Sequence, residues 1–300
     1  MKKQKSGYKE NYVYINGKYA LKQDATVSVF DHGLLYGDGV FEGLRSYSGL
    51  VFRMKEHLDR LWESAQSIML KIPYTKKQMN DLVIQTLQKN KLKDAYIRLV
   101  VTRGTGDLGL DPRKCKTPTV FIISDKIELY DGELCSKGVE VITVPTTRNF
   151  TEAVNPAIKS LNYLNNILAK IEATNSGFCD AVMLNHQGYV AECSGANIFI
   201  IKEGSLFTPP TYVGALKGIT RGAIIDTSRK LRFPFEERIL TRHDLFNAEE
   251  CFLTGTAAEI VPVVKIDGRV IGNGKPGEVT HRLLKGFRDL TKTDGVRYKI

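Results

Sequence analysis

Lys159 is one of the side chains whose type and position could serve chemistry. It follows an irregular segment containing Pro156 and comes directly before a helical pattern. The ends of elements commonly present side chains to a cleft, so this amine could face a bound molecule. A lysine in such a place is more often a solvated surface residue, and the pattern alone favours that alternative.

A possible anion site lies in the sequence LKGITRGAII. Gly218 precedes a helical pattern whose first turn contains Ile219 and Thr220. The backbone N–H groups of a first helical turn have no partners within the helix and attract anions, so this turn could hold a phosphate group. An ordinary helix start has the same pattern, and the pattern by itself favours that interpretation.

Two further segments could contribute to a site. The segment LTGTAAEI places small residues between two strand-like runs, which lets a ligand approach the backbone closely, although a tight turn looks the same. Glu192 lies in a β-type run. If it is buried it needs a cationic or hydrogen-bonding partner, but it could equally face water.

Several common catalytic sites find no support in the sequence. The five histidines have unrelated spacings with no HExxH pattern, so we expect no metal site. No GxSxG motif is present, and GTGDLG is not followed by a sustained helical pattern, which argues against Rossmann and P-loop sites. The five cysteines are scattered without a Cys-x-x-Cys pair and are predicted to be free thiols.

The elements that would position these residues can be predicted from local patterns. In the first half, Asn16-Gly17 and Ser48-Gly49 each lie between β-type runs and predict hairpins. Helices are expected over residues 54–70 and 76–89, and strands at AYIRLVVTRG and TVFIIS.

The second half alternates further strands with helices. A helix after Lys159 is expected to pack through an apolar stripe of Leu161, Leu164, Leu168 and Ile171. Hairpins are expected around residues 186–188 and 202–204, and helices near 220–231 and 279–290. The polar stretch 126–137 is the expected linker, so we predict an α+β protein with domains at 1–125 and 138–300.

The composition restricts the class of protein. The chain has 300 residues, of which 42% are hydrophobic and 25% charged, which is typical of a globular protein. Its net charge of +10 is spread along the chain and mixed with acids, so we expect no nucleic-acid partner. No apolar run approaches the length of a membrane span, and the charged start lacks a signal-peptide pattern. We therefore expect no membrane partner and a cytoplasmic location.

Seven separated segments resemble the branched-chain amino acid aminotransferases, which are pyridoxal-phosphate enzymes of fold type IV. They extend over nearly the whole chain and are YGDGVFEGLR (36–45), FRMKEHLDRL (52–61), AYIR (95–98), IKSLNYLNN (158–166), YVAECSGANIF (189–199), LKGITR (216–221) and TGTAAEI (254–260). The resemblance implies a small N-terminal α/β domain, a larger β-rich domain with helices, and a cofactor at their interface. It favours functional roles for Lys159, Glu192 and the Gly218 turn.

The resemblance also implies roles for single residues. Lys159 would hold pyridoxal 5'-phosphate covalently and move protons, Glu192 would keep the pyridine nitrogen protonated, and Tyr163 would bind the phenolic oxygen. The phosphate would be bound by Arg60, Gly218, the amides of Ile219 and Thr220, and the Thr256 hydroxyl. Substrate contacts would come from Tyr36, Phe41, Gly43, Tyr96, Arg98, Leu108, Thr256 and Ala257. The loop at residues 106–110 would serve a neighbouring subunit's pocket, which implies a homodimer or larger homo-oligomer.

The expected reaction is transamination between L-leucine, L-isoleucine or L-valine and 2-oxoglutarate. D-amino acid aminotransferase is the first alternative, because VVTRG resembles a strand of that enzyme and the lysine motif has four steps to its tyrosine. The sequences FEGLR and GTAAE, together with Arg98, favour the L-branched-chain type. Aminodeoxychorismate lyase is the next alternative. A basic scaffold or nucleic-acid protein that has lost its chemistry is disfavoured by the intact lysine, glutamate and arginine set.

Overall fold

The computed structural model describes residues 11–126 and 137–300, which form two compact units. The first contains residues 11–126 and 295–300, and the second contains residues 137–294. Most of the expected linker at 126–137 lies outside the described residues. The C-terminal strand pairs with a strand of the first unit, whereas the sequence pattern assigned all of 138–300 to one domain. A local pattern carries no information about so distant a partner.

The first unit is an antiparallel sheet with helices. Its elements are β1 (Tyr12–Ile15), β2 (Lys18–Leu21), α1 (His32–Tyr36), β3 (Gly39–Tyr47), β4 (Leu50–Phe52), α2 (Met54–Ser67), α3 (Lys76–Lys89), β5 (Ala95–Thr102), a 3₁₀ turn (Pro112–Lys114), β6 (Thr119–Asp125) and β16 (Gly295–Arg297). Within the described residues, the strand order is β16-β4-β3-β5-β6-β1-β2. Both expected hairpins are present, with positive φ at Asn16-Gly17 and at Ser48-Gly49.

The two faces of this sheet have different surroundings. Leu44, Ile97 and Leu99 are fully buried on the face that is covered by α2 and α3. The alternate residues of β3 and β5 point to the opposite face, because successive side chains of a strand alternate. That opposite face carries Phe41 and Arg98, which makes it the face of functional interest.

The second unit is built on a mixed sheet. Its elements are β7 (Val139–Thr143), α4 (Leu164–Asn175), β8 (Asp180–Leu184), β9 (Val190–Cys193), β10 (Asn197–Lys202), β11 (Ser205–Thr208), a 3₁₀ turn (Thr211–Val213), α5 (Ile219–Lys230), β12 (Phe235–Glu237), α6 (Arg242–Phe246), β13 (Glu250–Gly255), β14 (Glu259–Ile266), β15 (Arg269–Val270) and α7 (Glu278–Leu290). The strand order in the described part is β12-β11-β10-β13-β14-β7-β8-β9, with β15 on β14. The α+β fold class predicted from the sequence is confirmed. In neither unit is any described helix long and apolar enough to cross a bilayer.

The orientation predicted for helix α4 is wrong. Leu164, Leu168 and Ile171 of the expected packing stripe are 66%, 45% and 48% exposed. The helix instead packs through Ala169 and Ala173, which join a small apolar cluster under β8. Small side chains allow close approach to the sheet, and periodicity identifies two faces without showing which one the neighbouring strands cover.

Candidate functional site

Lys159 lies in irregular backbone just before helix α4, and the start of that helix brings a tyrosine close to it. Tyr163 is the N-terminal cap residue of α4, and Lys159 Nζ donates a hydrogen bond to its hydroxyl at 3.0 Å. Both side chains are partly buried. The structure therefore brings together two of the three expected catalytic residues.

Glu192, the third of these residues, is buried on β9 with its carboxylate fully engaged. Arg148 donates from Nε to Oε1 at 3.1 Å and brings Nη2 within 2.9 Å of the same atom. Oε2 accepts from Asn197 Nδ2 at 3.1 Å and from the Leu216 amide at 3.0 Å. Burial raises the pKa of Glu192 above its ordinary value, although the charges of Arg148 and Lys159 and the Leu216 N–H oppose the rise.

Sequence reasoning missed Arg148 and Asn197 as partners of Glu192. A buried glutamate needs a cationic or hydrogen-bonding partner, and this need is a usable signal. The sequence does not show which arginine is that partner. Arg148 lies 44 residues earlier, in an irregular segment without a motif. Asn197 lies inside the segment YVAECSGANIF, but its residue type alone does not indicate a contact with Glu192.

The expected anion cradle lies at a helix terminus that is joined to Glu192 by hydrogen bonds. Helix α5 begins at Ile219, and its cap residue Gly218 supplies no side-chain cap. A Cβ atom on Gly218 would overlap Asn197 Oδ1, so this turn requires glycine. Asn197 Nδ2 also donates to the Leu216 carbonyl at 2.9 Å. The same asparagine thus fixes both the Glu192 carboxylate and the turn that opens α5.

The TGTAAEI segment forms a tight turn between β13 and β14. Thr256 and Ala257 lie in the turn and are partly exposed. Thr254 stands opposite Asn197 in the sheet, and its hydroxyl is buried without a hydrogen-bond partner among the described residues. Glu259 closes the turn at φ 58°, a left-handed conformation that side chains rarely adopt. Such strain is often found where a turn is shaped for a ligand.

Arg60, the expected phosphate ligand, is buried in the first unit against Glu42. Its Nε and Nη2 donate to the two carboxylate oxygens at 2.7 and 2.8 Å, and His57 Nδ1 lies 2.7 Å from Oε2. Burial alone would raise the pKa of Glu42, but Arg60 and His57 lower it to about 2. Arg60 is therefore held rigidly, with two of its nitrogens bound to Glu42, and its phosphate role stays a prediction.

Four of the expected substrate residues meet on the face of the first sheet opposite helices α2 and α3. Gly43 is directly opposite Arg98 in the register of β3 and β5. The Arg98 guanidinium carbon lies 4.4 Å from the Phe41 ring centroid and 5.8 Å from that of Tyr96. A Cβ atom on Gly43 would overlap the Tyr96 hydroxyl, so glycine is needed for Tyr96 to lie there. The result is an aromatic surface with a cation on it.

The remaining substrate candidates of the first unit form a separate surface cluster. The Tyr36 hydroxyl accepts a hydrogen bond from the Gly109 amide at 3.0 Å, and His32 contacts both the Tyr36 ring and the Asp107 carbonyl. Leu108, between these anchor points, is 64% exposed. The structure thus joins Tyr36 to the Leu108 loop.

The second unit fits pyridoxal phosphate in the chemistry of its donors and acceptors. Lys159 could offer an amine to the aldehyde, Tyr163 a hydroxyl to the phenolic oxygen, and Glu192 a carboxylate to the ring nitrogen. The uncapped terminus of α5 suits the phosphate group, and the unpartnered Thr254 hydroxyl marks a polar place that a ligand or water would satisfy. No group of three His, Cys, Asp or Glu residues placed to hold a metal ion occurs in the described part of the chain.

Comparison with known proteins gives a consistent result over almost the whole chain. A family model described as amino-transferase class IV matches residues 39–266. A Methanocaldococcus jannaschii protein named putative branched-chain-amino-acid aminotransferase is 54% identical over 285 residues, which cover 95% of this chain and 98% of that protein.

Solved structures agree with this result. The crystal structure of the Escherichia coli branched-chain amino acid aminotransferase has a TM-score of 0.91 and 34% identity, covering 96% of this chain and 97% of that one. The T.th. branched-chain amino acid aminotransferase complexed with N-(5'-phosphopyridoxyl)-L-glutamate has a TM-score of 0.88 and 32% identity, covering 95% of both chains. The resemblance predicted from the sequence motifs is confirmed: the chain belongs to the class IV aminotransferase family.

Proposed function

We propose that this protein is a pyridoxal-phosphate-dependent branched-chain aminotransferase, which exchanges the amino group between L-leucine, L-isoleucine or L-valine and 2-oxoglutarate. The observation that carries the proposal is the hydrogen bond from Lys159 to Tyr163, together with the buried Glu192, whose pKa the charge of Lys159 lowers. The similar enzyme with a phosphopyridoxyl-L-glutamate ligand supports both the cofactor and the L configuration.

Each of the three residues has a defined task in transamination. Pyridoxal phosphate, when bound, supplies an aldehyde that links to amines and a ring that accepts the electron pair freed at the substrate's α-carbon. Lys159 would hold the cofactor through Nζ and would carry a proton on that atom to and from the reacting carbons. Tyr163 restrains Lys159 Nζ through its hydroxyl. Glu192 keeps a proton on the ring nitrogen by offering an anionic acceptor.

Phosphate binding would combine groups from several segments. The amides of Ile219 and Thr220 at the α5 terminus donate hydrogen bonds and favour a negative charge. Thr256 adds a hydroxyl from the turn after β13. Arg60 adds positive charge, and its fixed contact with Glu42 lowers the conformational entropy lost when the phosphate binds.

The sheet face that carries Phe41 and Arg98 supports recognition of two unlike side chains. A branched apolar side chain needs apolar walls, whereas the γ-carboxylate of glutamate needs a cation or hydrogen-bond donors. Phe41 provides an apolar ring, and Arg98 rests on that ring with Tyr96 beside it. Arg98 can pair with the glutamate carboxylate and remain near water when leucine is bound. The Thr256-Ala257 backbone would bind the α-carboxylate.

A homodimer or larger assembly would complete the pocket. The described surface of the first unit exposes Phe30, Leu34, Leu108 and Leu110 at 50%, 63%, 64% and 82%. Exposed apolar side chains in such number are typical of an interface, and this cluster contains the loop expected to serve a neighbouring subunit. We also place the enzyme in the cytoplasm, since the described cysteines are free thiols, as in reducing compartments.

A panel of amino donors tests the proposal. We expect transfer to 2-oxoglutarate from L-leucine, L-isoleucine and L-valine, and none from D-alanine. Activity with D-alanine above that with L-leucine would establish the D-amino acid alternative. Release of pyruvate from aminodeoxychorismate without amino transfer would establish the lyase instead.

A further inference from the structure

Arg148 is a buried arginine that lies outside the three residues proposed to act in transamination. It follows strand β7 in irregular backbone and is only 6% exposed. Its backbone amide donates to the Leu184 carbonyl at 2.8 Å, which ties the segment to the end of β8. A fully charged side chain is rarely buried unless its partners compensate for lost water, so its contacts indicate what it does.

The Arg148 guanidinium bridges Glu192 and the start of helix α4. Nε and Nη2 contact Glu192 Oε1, while Nη1 donates to Asn165 Oδ1 at 3.2 Å and to Asn166 Oδ1 at 3.0 Å. Asn166 Nδ2 in turn donates to the Ser194 carbonyl at 2.7 Å, two residues beyond Glu192. A closed ring of contacts therefore fixes Glu192 relative to helix α4, whose cap residue is Tyr163.

The charge of Glu192 depends on few groups. Asn197 and the Leu216 amide face Oε2 and are neutral, and Lys159 acts on the carboxylate without a direct hydrogen bond between them. Among the described residues, Arg148 is the cation in direct contact with the carboxylate. A buried carboxylate without such a partner takes up a proton more readily.

We propose that Arg148 is a positioning residue that keeps Glu192 ionised and aimed, so that a proton shared between Glu192 and a ring nitrogen rests on the nitrogen. The benefit of an ionised Glu192 to a bound cofactor rests on the proposed function. The effect of Arg148 on the ionisation of Glu192 involves only residues of this chain and needs no cofactor. A cation bound to the carboxylate stabilises the ionised form. Because Nε and Nη2 hold Glu192 while Nη1 is fixed by two asparagines of α4, Arg148 also fixes the direction of the carboxylate.

Cofactor-free protein gives the first test. The carboxyl stretching band of Glu192, identified by its loss in Glu192→Gln, is followed by infrared spectroscopy as the pH is raised. In Arg148→Gln, which keeps polar contact without charge, we expect the pKa of Glu192 to rise by about one unit or more. Arg148→Lys should leave that pKa near its wild-type value. Arg221→Met, which removes another buried arginine with its own carboxylate partner, should not change it.

The loaded enzyme gives the second test. Arg148→Gln should lower kcat at least about tenfold with little change in KM, and should shift the pH dependence of the bound cofactor's absorbance. Arg148→Lys should restore the absorbance profile but only part of kcat, because lysine lacks the three-nitrogen fork of arginine. If Arg148→Gln does not fold, an unchanged kcat in Arg148→Lys would still overturn the orienting role.

Different results would overturn the role of Arg148 and the proposed function. An unchanged Glu192 pKa in folded Arg148→Gln overturns the role of Arg148, even if the enzyme transaminates normally. A wild-type protein that neither binds cofactor nor transaminates overturns the proposed function, even if Arg148 controls the ionisation of Glu192.

Discussion

In the proposed function, Arg98 is a single residue that would serve two substrates. Its guanidinium lies on the Phe41 ring, and an arginine stacked on an aromatic face keeps its in-plane donors available at the edge. Those donors can bind the γ-carboxylate of glutamate, while the ring beneath offers apolar contact to leucine. The proposed dual recognition at this residue would therefore need no change in the backbone.

Replacing Arg98 with alanine should separate the two substrates. We expect kcat/KM for glutamate and 2-oxoglutarate to fall by the equivalent of roughly 2 kcal/mol or more, because a charge-assisted contact is lost. The value for L-leucine should change much less. Steady-state kinetics with both donors measures the difference, and Arg98→Leu, which keeps apolar packing, is the control. Equal losses for glutamate and leucine would contradict dual recognition.

Single-residue roles could be predicted from the sequence only where a family motif covered them. The residues themselves favoured ordinary surface roles for Lys159 and the Gly218 turn, and the motifs reversed that preference. The contact between Lys159 and Tyr163 is local and follows from the helix start. The contact of Arg148 with Glu192 joins distant segments. No local pattern encodes such a pairing, so it could not be predicted.

At the scale of elements, the buried Glu42, His57 and Arg60 cluster joins strand β3 to helix α2. Glu42 is wholly buried under the helix, and both of its oxygens are bound. Loss of one partner of such a pair leaves the other charges buried without compensation. The cluster therefore stabilises the packing of α2 on the sheet as well as the position of Arg60.

Replacing Glu42 with glutamine should destabilise the protein in a pH-dependent way. We expect the free energy of unfolding at neutral pH to fall by about 3–5 kcal/mol. The folded-state pKa of Glu42 is about 2 against an ordinary 4.5, so its stabilisation is fully present above pH 4.5 and is lost as pH falls toward 2.

Chemical denaturation across pH measures the effect of Glu42→Gln. The difference between wild type and variant should shrink below pH 4.5. Asp59→Asn, which removes the carboxylate that pairs with Lys55 and Lys76 on the surface of the first unit, should cost less than about 1 kcal/mol. A wild-type advantage that stays constant from neutral pH down to the acid transition would refute the role assigned to this cluster.

Most elements could be predicted because their signals are local. Helix α3 begins and ends at the predicted residues, and a capping box of Thr75 and Gln78 stabilises its start. The hairpin at Asn16-Gly17 follows from residues that tolerate positive φ. The orientation of α4 failed because burial depends on which strands lie beneath the helix. That information is tertiary and is absent from periodicity.

At the scale of the whole molecule, the exposed apolar residues require an explanation. One set lies around Leu34 and Leu110 in the first unit, and another is the stripe on helix α4 in the second. Large apolar side chains exposed in clusters mark contact surfaces more often than bare surface. Assembly with further copies would cover them and would bring the Leu108 loop to a neighbouring pocket.

The double variant Leu34→Glu/Leu110→Glu should weaken assembly. We expect wild type to sediment as a dimer or larger species, and the variant to dissociate and lose activity together, because charges would be buried at the interface. Val270→Glu, at an exposed apolar residue of the second unit, is the control and should leave assembly unchanged. A fully active wild-type monomer would refute the assembly.

The proposed function depends most directly on the covalent attachment of the cofactor to Lys159. Wild-type protein is incubated with pyridoxal phosphate, reduced with borohydride and digested, and the modified lysine is located by mass spectrometry. We predict one phosphopyridoxyl group on Lys159, retained in Lys170→Arg and absent from Lys159→Arg, which should also be inactive. Stoichiometric labelling of another lysine, or transamination that persists in Lys159→Arg, would contradict the account.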